Sequence, residues 1–300
     1  MKTDWPELNY TASKDTLETL HLWSQILGKL KVETQPWVNH SWHITLTVTP
    51  TGLTTGDLPY QNQHFQVDLN LVQHQLSIKT STGQSRNLAL GNMSVAEFYK
   101  KVMHALADLG IKVEIYNVPC ELENPIPFDE DQTHKTYNPE QAAAFHQALL
   151  QAQKVMQLFR AEFIGKCSPV HFFWGSFDLA VSRFSGRTAP KHPGGVPGLP
   201  DWIAQEAYSH EVSSCGFWPG SEVLPEAAFY SYIYPEPEGY RTTKIKPAAA
   251  YFHQTLGEFI LPYEAVRNSG NPEATLLEFL HSTYEAAASL AKWDRKALEV

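Results

Sequence analysis

"SPVHFFWGSFDLAVSRFSGR", residues 168–187, sets a histidine, a tryptophan, an aspartate and two arginines among aromatic and small side chains. Successive strand residues point to opposite faces. Read as one regular strand over 170–183, the stretch therefore puts Phe172, Trp174, Ser176, Asp178, Ala180 and Ser182 on one side. His171, Phe173, Phe177, Leu179 and Val181 fall on the other, which reads as a core face. The first set mixes one large aromatic, one carboxylate and small residues that leave room, the composition of a pocket floor. Gly175 could mark a bulge that carries His171 to the side of Asp178.

Outward from this stretch the chain alternates helices and strands. Apolar residues Leu17, Leu20, Ile26, Leu27 and Leu30 predict an amphipathic helix over 14–31. "SWHITLTVT" (41–49) alternates strictly and predicts a half-buried strand. "HFQVDLNLV" and "HQLSIKT" repeat the alternation across a polar connection and predict a hairpin. Ser94 with Glu97 forms a capping box for a helix that stops at Gly110, and "IKVEIYNV" follows as a predicted strand. The proline-punctuated residues 121–138 read as a linker. Asn138 and Pro139 open a long helix to about residue 164. Strands are predicted at 170–183, 207–213 and 227–234, and "NPEATLLEFLHSTYEAAASLAKW" closes the chain as a helix.

The expected class is α+β, with mainly antiparallel sheets backed by long helices. Residues 1–120 form an amino-terminal half and 139–300 a carboxy-terminal half, joined by the 121–138 linker and packing as one domain or as two. "LGKLKVETQPWVNHSWHITLTV" and "IGKCSPVHFFWGSFDLAV" each run from a helix end through Gly-Lys and a proline to a strand. That parallel raises an internal duplication of a helix–three strands–helix unit; reuse of glycine and proline at helix-to-strand junctions explains it equally.

Composition narrows the function classes. The chain has 300 residues, 43% hydrophobic and 18% charged, with a formal net charge of -9. That balance argues against an extended phosphate-backbone footprint, so no nucleic acid partner is expected. The opening "MKTDWPELNYTASKD" has no basic stretch leading into an apolar run, and no segment has the length of a membrane span. A cytoplasmic protein without a membrane partner is expected. Cys120, Cys167 and Cys215 lie far apart without a CxxC pair and read as small buried hydrophobes.

Further polar groups gather in the carboxy-terminal half. "AFYSYIYP" aligns Tyr230, Tyr232 and Tyr234 on one face, which suits either stacking of a sugar or heterocycle or a sheet-stabilising ladder. In "AYSHEVSSCGFWPG", His210 and Glu211 are adjacent and point to opposite faces of a regular strand. A metal site could recruit His210 with His171 or Asp178, since imidazole and carboxylate suit a divalent transition metal; hydrogen-bonded structural histidines are the competing account. "SGRTAPKHPGGVPGLPDW" reads as a lid, a binding loop or a solvated connection, and its basic residues could draw an anion. No GxxxxGK[ST], GxSxG or GxGxxG motif occurs.

The strings "ETLHLWSQI", "NHSWH", "PIPFDED", "SPVHFFWGSFDLAVSRFSGR", "AYSHEVSS", "GFWPG" and "STYEAAASLAKWDR" together resemble an uncharacterised, mainly bacterial domain-of-unknown-function family across nearly the whole chain. The resemblance implies no activity and assigns no residue a role. Two readings of function stay open. In one, the chain binds a small-molecule ligand on its carboxy-terminal sheet and acts as an enzyme, with or without the assistance of a divalent transition metal. Asp178, His210 and Glu211 are then its catalytic groups, His171 and His210 its metal ligands, and Arg183 and Arg187 steady an anionic substrate. In the other it is a non-catalytic binder of a sugar or heterocycle, with Trp174, Ser176, Trp218, Tyr230 and Tyr232 forming the contact surface.

Overall fold

The computed structural model describes residues 4–300. Helix α1 (Tyr10–Thr34) starts at Asn9, whose side chain accepts from the Ala12 N–H. Strands β1 (Thr47–Thr49), β2 (Gly52–Thr54), β3 (Leu58–Tyr60), β4 (Gln63–Asn70), β5 (Gln75–Thr80) and β6 (Ser85–Ala89) follow, then α2 (Val95–Asp108). They form an antiparallel sheet in the order β1-β2-β4-β5-β6, with β3 also paired to β4. The expected hairpin is β4–β5, and the Ser94 hydroxyl caps α2 by accepting from the Glu97 N–H at 3.1 Å. Trp23 of α1 stacks on Phe98 of α2 at 4.5 Å between ring centres.

The second half opens with α3 (Pro139–Ala161), capped by Asn138 as its Asn-Pro start predicts. Next come β7 (His171–Phe173), β8 (Asp178–Thr188), α4 (Asp201–Ala207), β9 (His210–Trp218), β10 (Ala228–Tyr234), β11 (Tyr251–His253) and β12 (Glu258–Pro262). Helices α5 (Tyr263–Arg267), α6 (Pro272–Leu290) and α7 (Arg295–Leu298) close the chain. The second sheet is antiparallel, in the order β11-β12-β10-β9-β8-β7. The α+β class with antiparallel sheets is thus what the chain adopts. No helix among the described residues is long and apolar enough to cross a membrane.

Three strand expectations need correction. Residues 41–49 are not one strand. A 3₁₀ turn spans Asn39–Ile44, with His40 and Ser41 in left-handed backbone (φ 60° and 57°), and only Thr47–Thr49 pair as a strand. His40 is held there by its own contacts: its N–H donates to Glu206 at 2.7 Å and its Nδ1–H to the Ala207 carbonyl at 2.8 Å. Residues 111–118 do show alternating burial, with Ile111, Val113 and Ile115 inside, yet they enter neither sheet. Residues 170–183 are a hairpin rather than a strand. Chain reversal at 174–177, with Phe177 left-handed (φ 59°), pairs Phe173 with Asp178, Phe172 with Leu179 and His171 with Ala180. Directly opposed residues share a face. His171 therefore comes to the side of Asp178 through a turn, not a bulge, and Phe172 moves to the core side.

One contiguous core runs through both halves. Leu46, just before β1, and Phe172 of β7 exchange two backbone hydrogen bonds of 2.9 Å, joining the edges of the two sheets. Within residues 121–138, Phe128, Asp131 and Tyr137 are buried. The hairpin turn then docks on α1. The Trp174 indole lies on Gly28 and donates to the Ile44 carbonyl at 2.7 Å, while Phe177 stacks on His21 (4.9 Å) and on Phe145 of α3 (5.1 Å).

A side chain at Gly28 would occupy the place of that indole: a Cβ built there falls 2.0 Å from Trp174 Cε2. Gly28→Ala gains up to about 1 kcal/mol of helix propensity. Displacing the indole costs about 1–3 kcal/mol in overpacking, and more once its N–H loses its acceptor. The clash wins, so urea denaturation should find Gly28→Ala less stable than the parent; equal or greater stability would show that the turn does not depend on this contact.

Candidate functional site

The second sheet has one face covered by α3 and α6. Leu179, Val181, Cys215, Phe217, Phe229 and Phe259 build the core there. Arg183 belongs to this side as well. Its guanidinium lies 3.4 Å from the Phe159 ring centre and 4.4 Å from that of Tyr284, and donates to the Phe159 carbonyl. Arg187 binds Glu211 at 2.6 Å and reaches the carbonyls of Ala291 and Lys292 at the end of α6. Arg183, Arg187 and Glu211 are thus engaged with the helices, which is structural work, and the structure does not bring them to Asp178.

The opposite face carries the polar constellation. Register places Asp178, Ala180 and Ser182 of β8 beside Gly216 and Ser214 of β9, then Tyr230 and Tyr232 of β10, then Ile260 of β12. Glu258 continues that register beside Tyr232. The small residues form a floor that lets Tyr230 lie flat: a Cβ on Gly216 would sit 2.4 Å from the Tyr230 hydroxyl. Across that glycine the hydroxyl donates to Asp178 Oδ2, and the Ser176 hydroxyl donates to Oδ1 at 2.5 Å. Tyr230 and Tyr232 stack with centroids 6.1 Å apart, as strand alternation predicts for a shared face. The Tyr232 and Tyr208 hydroxyls meet at 2.8 Å, and His192 stacks on Tyr208 at 4.6 Å. Trp218 packs with Leu224, Ala228, Tyr230 and Ile260 at the far end.

Two carboxyls that the sequence reading overlooked complete the rim. Glu121 has left-handed backbone (φ 60°) and packs against the hairpin turn, where a Cβ on Gly175 would lie 1.9 Å from its Oε1. Helix α1 sets this position. The Gln25 side chain accepts from the Cys120 N–H and donates to the Cys120 carbonyl, both at 2.9 Å, and His21 Nε2–H donates to the Gly175 carbonyl at 2.8 Å. The Glu121 N–H in turn donates to Pro197 at 2.8 Å, anchoring the glycine- and proline-rich loop to the rim. That loop is also held by the Tyr234 hydroxyl, which donates to the Pro190 carbonyl at 3.0 Å. Residues around Glu258 gave no comparable signal. A non-glycine in left-handed backbone marks Glu121, but that is visible only in the fold.

None of Glu121, Asp178 and Glu258 has an ion-pair partner among the described residues. Burial and the Asp178 charge push Glu121 up to about 7 and Glu258 up to about 8. Burial likewise raises Asp178, against the hydrogen bonds from Ser176 and Tyr230 that favour its charge. His171 reaches the same face opposite Ala180, only 3% exposed, with neither ring nitrogen partnered. Burial pushes it down to about 3, so it is a neutral imidazole. His210 lies instead beside Ser209 (3.1 Å) and His40 (6.4 Å between rings). No group of three or more His, Cys, Asp or Glu side chains among the described residues is arranged to hold a metal ion.

A family model described as a family of unknown function (DUF5996) matches residues 5–300. No curated protein and no solved structure matches the chain.

The raised carboxyls set a pH dependence of stability. In the unfolded chain both glutamates titrate near 4.5, whereas the folded chain holds their protons to about 7 and about 8. A fold that binds more protons than the unfolded chain loses stability as pH rises, here from about 4.5 until the higher value is passed. His21 and His171, neutral in the fold, act in the opposite sense below their ordinary value of 6.5. Between about pH 7 and 8 the glutamates dominate. The thermal midpoint should fall across that window and Glu258→Gln should remove most of the slope; a flat parent profile would contradict the assignment.

Proposed function

The chain belongs to that family of unknown function, so activity has to be read from the site, and we propose that it is a small-molecule-binding protein. Its ligand lies on the polar face of the carboxy-terminal sheet, between the stacked tyrosines and the Asp178, Glu121 and Glu258 carboxyls. The observation that carries this reading is the set of polar groups on that face. Gly216, Ala180, Ser182 and Ser214 keep it low enough for Tyr230 to lie flat across Gly216, and around them stand the Asp178, Glu121 and Glu258 carboxyls and His171. Protein cores are close-packed, and buried carboxyls and imidazoles normally find partners. This face combines small floor residues with a buried His171 that has no protein partner and two half-buried carboxyls that make no hydrogen bond within the protein, and these groups support a ligand there. The loop 189–200, pinned through Pro190 and Pro197, is its rim.

A ligand-observed magnetic resonance screen of cationic, neutral and anionic fragments against the intact chain tests this. Binding fragments should lose contact in Asp178→Asn and Tyr232→Ala and keep it in Glu211→Gln, whose site is on the helix-covered side. Asp178→Asn should stay within about 1 kcal/mol of parental stability, because relief of a buried charge among other acids offsets one weakened hydrogen bond. Fragments that bind all three variants alike, or no binding fragment at all, would defeat the reading.

A further inference from the structure

We propose that the ligand of this face is a small organic cation, an ammonium or guanidinium group held between the Asp178, Glu121 and Glu258 carboxyls and against the tyrosine rings. The inference rests on the binding reading above and adds the charge of the ligand.

Three independent features point the same way. First, the acids lack a counter-charge, although cations lie near the sheet. Arg183 is enclosed by Phe159 and Tyr284, and Arg187 is paired with Glu211. Lys166 donates to His40 Nε2 at 2.6 Å while lying over Trp42 and Phe184. Each of these three is committed elsewhere, and Lys191 of the rim loop makes no ion pair with the carboxyls among the described residues. Carboxyls gathered without a cation repel one another and pay for desolvation, and a bound cation relieves both. Second, Tyr208, Tyr230 and Tyr232 bring π faces and hydroxyls to the same place, and aromatic faces attract ammonium and guanidinium groups most strongly when water is excluded. Third, His171 is a buried neutral imidazole on this face whose nitrogens meet no protein group. It packs against Phe173 (4.7 Å) and Trp42 (6.3 Å), and its lone pair is available to accept from an N–H that a ligand brings. The ligand is organic because the carboxyls and histidines do not converge as a metal site, whereas the stacked rings offer area to carbon.

Without a bound cation, protons on the glutamates take its part. Glu258 shares its face with Tyr230 and Tyr232, stands within electrostatic reach of Asp178 and Tyr208, and has His253 opposite on β11; Glu121 stands within reach of Asp178 and Tyr208 and adjoins Cys120, on which Lys29 acts. The rim loop adds His192, stacked on Tyr208, and Lys191, and among the described residues no lysine or arginine is ion-paired with either glutamate. Binding therefore expels protons from the glutamates, and affinity rises with pH until both are ionised.

Calorimetric titration of the intact chain with benzylamine, agmatine and choline, against benzyl alcohol and benzoate, tests the proposal. At least one cation should bind at least about tenfold more tightly than benzyl alcohol, and about five- to tenfold more tightly at pH 8.5 than at pH 6.5, with proton release. Glu258→Gln and Glu121→Gln, each checked for a cooperative melting transition above the temperature of the titration, should cost about tenfold for the cation and leave benzyl alcohol unaffected. If benzyl alcohol or benzoate binds as well as the cations, and Tyr232→Ala abolishes that binding, the charge assignment is overturned while the binding face stands. If none of the five compounds binds in a Tyr232-dependent way, both are overturned.

Discussion

The docking of the 174–177 turn onto α1 is the contact on which the rest of the molecule depends. His21, Gln25 and Gly28 lie along one stripe of the helix, at i, i+4 and i+7. His21 holds the Gly175 carbonyl, Gln25 holds both backbone groups of Cys120, and Gly28 receives the Trp174 indole. These contacts close the hairpin that starts the second sheet, bring Phe172 against Leu46 so that the two sheets meet, and set Glu121 beside Asp178. A helix of the first half thus positions a carboxyl of the proposed site on the second.

The second sheet then divides charge between its faces. The helix-covered side takes the arginines: Arg183 among aromatic rings, Arg187 on Glu211 and on the free carbonyls at the end of α6. Cations at a helix carboxy terminus meet the negative end of its dipole, so Arg187 is stabilising where it sits. The other side keeps the carboxyls and tyrosines. Arg183 and Arg187 are thus held on the helix side, away from those carboxyls.

Much of the fold was legible because alternation and capping report burial and backbone hydrogen bonding directly. The β4–β5 hairpin, the Ser94 and Asn138 caps, and the shared face of Tyr230 and Tyr232 follow from residue patterns alone. The departures arise where tertiary contacts override the local pattern. At 39–44, bonds from His40 to Glu206 and Ala207 hold a 3₁₀ turn in an alternating sequence. At 111–118 the alternation of burial is real, and what is missing is a strand to pair with. At 170–183 a reversal of four residues exchanged the faces of β7, which moved His171 to the Asp178 side and Phe172 to the core. Of the expected site residues, Asp178, Ser176, Tyr230, Tyr232 and Trp218 meet on one face, and His171 joins them. Trp174 is a docking residue, while Arg183, Arg187 and Glu211 serve the helix side. Glu121 and Glu258 were illegible because they come from distant segments with no motif, and only the α1 clamp and the β10–β12 register assemble them.

The account turns on carboxyls that share one face without a compensating cation, and their titration is directly observable. Carbon-13 magnetic resonance of the glutamate side-chain carboxyls, followed from pH 4 to 9 and assigned with Glu121→Gln and Glu258→Gln, reads each group separately. The account predicts midpoints of about 7 for Glu121 and about 8 for Glu258. Midpoints near the ordinary value of 4.5 for both would mean that the face is compensated or open to water, and would contradict it.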